Sequence, residues 1–230
     1  MVRWNHPERG FFDPASFIPV AERSDLIVAI GTEVLDEACR QAATWAAHRR
    51  TEPPITVNVN VAARQIADPE LLSIVRSALA DSGLDPCALF LEIKESVVME
   101  HPERAAAVLR SLQELGVRVA IDDFGTGHSS LGSLRRFPID VLKIDRSFVA
   151  GLGVCPEDRA MVDAIVALAA VLGYTIVAEG IETSAQLEQL VDAGCDTGQG
   201  FYWSPPVSGA TFSAALLDIG GHSSVSGRHR

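Results

Sequence analysis

"VRVAIDDFGTG", residues 117–127, alternates apolar residues up to two adjacent carboxylates, Asp122 and Asp123, then enters a loop with glycines at 125 and 127. The alternation predicts a strand. Two neighbouring anions repel each other, so a strand ending in them needs something to hold them. Five further runs share its form: "ITVNVNVA" (55–62), "LFLEIKES" (89–96), "VLKIDRSF" (141–148), "TIVAEGIE" (175–182) and "TGQGFYW" (197–203). Each delivers a polar group near its C-terminal end: Asn60, Glu92, Lys143, Glu179 and Gln199.

Helical stretches separate these runs. Asp68–Pro69, Pro102 and Pro156 are placed to open helices, Thr183 or Ser184 to cap "AQLEQLVDAG", and "TEVLDEACRQAATWAAHRR" predicts a helix from Thr32. Strands alternating with helices predict a parallel sheet, and their regular repetition predicts a closed β/α barrel over an open doubly wound sheet. No G-x-G-x-x-G follows the first strand, which weighs against dinucleotide-cofactor binding. Barrel enzymes carry their active sites at the C-terminal ends of the strands, where the polar residues fall. Period-two counting puts Glu92 with Lys94 and Lys143 with Asp145, so inward-pointing faces would converge at one mouth.

At 230 residues, 47% hydrophobic and 21% charged, the chain fits one large domain. Nineteen basic against thirty acidic residues give a net charge of -11, which disfavours nonspecific binding to nucleic acid or an anionic membrane. Cys39, Cys87, Cys155 and Cys195 are scattered without metal-site spacing, as free thiols in a reducing compartment would be. No run has membrane-span length and "MVRWNHPERG" lacks a signal-peptide core, so a cytoplasmic location is expected. The final "GGHSSVSGRHR", 220–230, lacks periodicity and is expected to be a disordered tail to a domain of residues 1–219.

Any one of these acids could be a solvated turn residue. Together they form an oxygen-rich set that needs a compensating cation, and such donors select Mg²⁺ or Mn²⁺ over zinc. Adjacent aspartates suit two ions about 3.5–4 Å apart, clamping the attacking water and leaving oxygen of a phosphoester.

"RWNHPERGFFDPASFIPVAE", "VNVNVAARQ", "LEIKES", "IDDFGTGHSSL", "LKIDRSFV", "VAEGIET" and "GQGFYWSPP" resemble, in order, the motifs of the EAL domain family, bacterial phosphodiesterases that linearise cyclic di-GMP. The resemblance implies a TIM-like (β/α)8 barrel and metal ligands at Asn60, Glu92, Asp122, Asp123 and Glu179. It implies that Lys143 orients or deprotonates the attacking water beside Glu179, and that Glu95 braces the loop of residues 124–130. Arg3, Asp145, Glu182 and Gln199 would line the dinucleotide site. A homodimer, often fused to cyclase or sensory modules, is the implied assembly.

Several positions depart from the pattern. Lys94 stands where a threonine is usual, Ala62 and Pro205 replace a serine and an arginine, and His128 replaces a tyrosine. Met1 stands at the leucine of the Glu-Ala-Leu triplet, so the expected barrel is incomplete at the N-terminus, missing its first strand and a ligand glutamate. Lys94 would pair with Glu92 and weaken divalent binding. Two functions follow: hydrolysis of cyclic di-GMP to pGpG, impaired in this chain, or a catalytically impaired domain acting as a cyclic di-GMP receptor or protein-interaction module. An aldolase-like or enolase-like barrel is disfavoured, since no Schiff-base site stands out.

Overall fold

The computed structural model describes residues 2–48, 54–127, 134–195 and 197–220. All six anticipated runs form strands: β3 (Val57–Asn60), β4 (Leu89–Lys94), β5 (Arg118–Phe124), β6 (Val141–Ile144), β7 (Thr175–Glu179) and β8 (Thr197–Gln199). They pair in parallel and in chain order as one sheet, so β3 and β8 are its edges. The result is a curled half-barrel, the TIM-like fold left incomplete. An antiparallel hairpin, β1 (Trp4–His6) with β2 (Gly10–Phe12), stands apart from it.

The helices that lie wholly within the described residues are α1 (Pro14–Glu22), α2 (Leu26–His48), α3 (Ala63–Ile66), α4 (Leu71–Ser82), α5 (Glu95–Glu100), α6 (Pro102–Glu114), α7 (Arg146–Ala150), α8 (Pro156–Leu172), α9 (Ser184–Asp192) and α10 (Gly209–Gly220). Prolines open α6 and α8, and Thr183 with Gln186 forms a capping box on α9, as the sequence predicts. Two boundaries move. Asp68 accepts from the Glu70 amide at 2.9 Å and makes a turn, so α4 starts only at Leu71. Helix α2 begins at Leu26 because Ile27, Gly31, Leu35, Cys39 and Ala42 make one buried stripe, and Thr32 lies inside it with Oγ1 bonded to the Val28 carbonyl. Gly31 reads as a helix breaker, yet a Cβ there would stand 2.2 Å from Gln65 Nε2. The anticipated tail lies almost wholly outside the described residues; Gly220 ends α10.

Alternation sorts the sheet residues. Leu89, Leu91, Ile93, Val119, Ile121, Leu142 and Ile144 are fully buried in one cluster with Leu109 and Leu112 of α6 and Val162 and Ile165 of α8. Each such side chain contributes about 1.5–3 kcal/mol of transfer free energy, which makes this helix-covered face the stabilising one. The polar residues are thereby left to the opposite face.

The turn after β8 packs against the turn after β7. Ile181 N donates to Gln199 O at 3.1 Å and Tyr202 N to Ile181 O at 2.9 Å. Gly200 sits between them, where a Cβ would lie 2.0 Å from Ile181 O. Gly200→Ala is expected to cost about 1–3 kcal/mol through overpacking, lowering Tm by roughly 2–12 °C for a chain of this size. An unchanged melting curve would show that the two turns separate freely.

Candidate active site

Successive residues of a regular strand point to opposite faces, so Asp122 and Asp123 should diverge. The structure brings them together with a β-bulge. Between Ile121 and Phe124, β5 advances three residues while β6 advances two, from Leu142 to Ile144. Asp123 sits at φ 54°, the one positive φ outside glycine among the described residues. Such a conformation costs of the order of 1–3 kcal/mol, and aspartate tolerates it better than most side chains. The bulge brings carboxylate oxygens of Asp122, Asp123 and Glu179 all within 4.8 Å of one another.

At the centre lies Lys143, only 2% exposed. Its Nζ is 2.6 Å from Glu92 Oε1 and 3.3 Å from Asp122 Oδ1, and it also pairs with Glu179. Burial pulls this amine's pKa down, whereas Glu92, Glu179 and Asp122 push it up and win, so it is held as an ammonium. Burial pushes Glu179 above its ordinary value, with Lys143 opposing. Three carboxylates face one buried cation. Asp122 Oδ1 is left without a hydrogen bond, its geometry to Lys143 being misaligned.

Around this centre, Asn58 donates to Glu92 Oε1 at 2.7 Å and Gln199 to Glu179 Oε1 at 2.7 Å. Asn60 is exposed beside Glu92 in register. Lys94 pairs with Asp123 Oδ2 at 2.7 Å and so is corrected from its anticipated partner, Glu92, whose cation is Lys143. The bulge explains the change, because it turns Asp123 to the side Lys94 occupies. That bond holds the Lys94 pKa above its ordinary value.

Glu95 accepts from the Gly125 amide at 2.9 Å, and Gly127 packs so close that a Cβ would lie 2.9 Å from Glu95 Oε1; residues 128–130 of that loop lie outside the described residues. Asp145 caps α7 by accepting from Ser147 N at 2.9 Å. Burial opposes its ionisation, but the Ser147 bonds, a side-chain contact with Asp123 that joins Asp145 to the cluster, and the nearby Arg146 together lower its pKa. Among the described residues, no polar contact joins Arg3 or Glu182 to the cluster: Arg3 bonds the Val2 carbonyl, and Glu182 uses its amide on Gln186. The bulge and Asn58 were not anticipated. Asn58 carried a usable signal, since it lies two residues before Asn60 and shares its face.

The family model for the EAL domain matches residues 1–206. Over 216 residues the chain is 44% identical to the bifunctional diguanylate cyclase/cyclic di-GMP phosphodiesterase MucR of Pseudomonas aeruginosa, covering 94% of this chain and 31% of that protein. Over 212 residues it is 38% identical to the cyclic di-GMP phosphodiesterase PdeR of Escherichia coli, covering 92% and 32%. The chain thus spans about a third of the length of these curated relatives. The solved PaMucR phosphodiesterase, in complex with c-di-GMP, aligns with a TM-score of 0.87 at 44% identity over 91% of this chain and 84% of that one. No helix among the described residues is long and apolar enough to cross a membrane.

Replacing Lys143 by an isosteric neutral residue should strand three anions away from water. Lys143→Met, measured in EDTA at pH 7, is expected to lose about 3–5 kcal/mol of stability. Without the ammonium the raised Glu179 pKa climbs further, so the folded state binds protons more tightly than the unfolded chain and the loss shrinks as pH falls towards 4. A loss independent of pH would mean that the carboxylates do not depend on this cation.

Proposed function

The chain belongs to the EAL domain family, and from that premise we propose that it binds cyclic di-GMP and hydrolyses one phosphodiester bond to give linear pGpG. The observation that supports this most is the convergence of Glu92, Asp122, Asp123 and Glu179 about the buried Lys143. Both MucR and PdeR carry cyclic di-GMP phosphodiesterase in their names, and the solved PaMucR enzyme is complexed with that dinucleotide.

The donor set fits divalent metal ions. It is made of oxygen donors, it carries more negative charge than Lys143 balances, and Asp122 Oδ1 is a buried acceptor with no hydrogen bond. Asp122, Asp123 and Glu179, with Glu92 and Asn60 alongside, would hold Mg²⁺ or Mn²⁺. Two such ions would supply positive charge to activate a water and stabilise a leaving oxygen.

The chain's own groups account for the rest. Lys143 keeps its proton at Nζ and donates to oxygens in the cleft, which favours orienting the attacking water over deprotonating it. Gln199 steadies Glu179, Asn58 steadies Glu92, and Glu95 ties the loop after β5 through Gly125. Arg3, Asp145 and Glu182 are proposed to meet the dinucleotide away from the scissile bond. The domain is taken as residues 1–219, since Trp45 Nε1 of α2 donates to Ser213 Oγ of α10 at 2.8 Å. A homodimer, working beside cyclase or sensory domains in a longer protein, is the proposed assembly.

One observation favours a second reading. Lys94 already neutralises Asp123, which supports reduced turnover with dinucleotide binding retained, as a receptor would need. The two readings are separated by assaying the chain with cyclic di-GMP in Mn²⁺, with binding followed by calorimetry. Production of pGpG, cut by about 10²-fold or more in Lys143→Ala with binding retained, is the expected result. Tight binding without pGpG would establish the receptor, and equal turnover in Lys143→Ala would remove Lys143 from the chemistry.

A further inference from the structure

We propose that Lys94 is a tethered cation that occupies one arm of Asp123 and competes with a divalent ion for it, so that it sets the metal concentration at which the Asp123 side of the site fills. This rests on the metal reading of the site given above.

The two lysines of the cleft differ in what they hold and in how firmly. Lys143 is enclosed and shared among Glu92, Asp122 and Glu179. Lys94 is the last residue of β4, in register with Asp122, and among the described residues its ion pair is with Asp123 Oδ2, at 2.7 Å. Its side chain is 59% exposed and that of Asp123 32% exposed. An ion pair so open to water is weak and reversible, whereas one sealed from water is not. Lys94 is therefore the cation that a divalent ion can displace, its four-carbon stem letting the ammonium swing into solvent.

Charge counting points the same way. Glu92, Asp122, Asp123 and Glu179, with Asp145 against Asp123, bring five carboxylates together, and Lys143 and Lys94 return two positive charges. The excess leaves room for divalent ions, and one that binds at Asp123 must first dislodge Lys94. The bulge makes the competition unavoidable. Asp123 is fixed at φ 54°, so its carboxylate is presented to Lys94 and to the Asp122–Glu179 cluster from one position. A neutral side chain at 94 would leave that arm free for metal.

The test is a Mn²⁺ titration of the 230-residue chain, Lys94→Thr, Lys94→Arg and Asp122→Asn, by calorimetry and by the resonance signal of free Mn²⁺. Thermal melts of the same proteins are run in EDTA and in excess Mn²⁺. Lys94→Thr is expected to bind Mn²⁺ roughly 3–30-fold more tightly, the scale of an exposed ion pair together with the removed repulsion of a nearby charge. Lys94→Arg should behave as the parent. The melts should change sign: Lys94→Thr no more stable than the parent in EDTA, but more stable in Mn²⁺, since tighter binding adds stability to the folded state. A merely structural lysine would shift both melts in one direction. If the parent and Lys94→Thr bind Mn²⁺ equally while Asp122→Asn abolishes binding, the competition is wrong and the metal reading survives. If none of the four binds Mn²⁺, both fall.

Discussion

The polar face of the sheet depends on a single ammonium. From β6, Lys143 reaches Glu92 on β4, Asp122 on β5 and Glu179 on β7, so one side chain joins four neighbouring strands across their concave side. Desolvating these charges is expensive, and mutual attraction offsets the expense only while all are in place. The opposite face carries the apolar side chains that hold the helices, and it meets no such condition. The apolar core and the candidate site thus occupy two faces of the same strands.

That division alone would scatter the acids, because a strand presents only every second residue to one side. The bulge at Asp122 and Asp123 overcomes the limit by adding a residue to β5, at the cost of a left-handed conformation at Asp123. The cleft then holds more negative charge than Lys143 can balance. An imbalance of this kind is what motivates the proposal that the cleft takes hard cations. Partners around it fix directions more than charges: Asn58 and Gln199 each donate to an oxygen that also faces Lys143.

Much of this was legible in the amino-acid sequence. The six strands and their parallel order follow from apolar runs separated by helical stretches with proline and threonine start signals, all local patterns. The position of Asn60, Glu92, Asp122, Lys143, Glu179 and Gln199 at strand ends follows from the same reading, since period two assigns each a face. The start of α2 was not legible, because Gly31 argues locally against a helix and only the packing of Gln65 against it shows why glycine is needed there. The β1–β2 hairpin went unread for a related reason: its strands are three residues each, too short for a period to register.

What tertiary structure alone decided is which charge meets which. Counting along β4 puts Lys94 beside Glu92, and nothing local says otherwise; the bulge one strand away redirects Asp123 to Lys94 and leaves Glu92 to Lys143. Arg3 and Glu182 carry motif positions, yet their contacts within the described residues stay local. The sequence by itself determined the inventory of acids, amides and amines and the strand ends that present them, because those depend on residue type and a two-residue period. Their pairing depends on register between strands and on one residue's backbone dihedral, quantities that exist only once the sheet has formed.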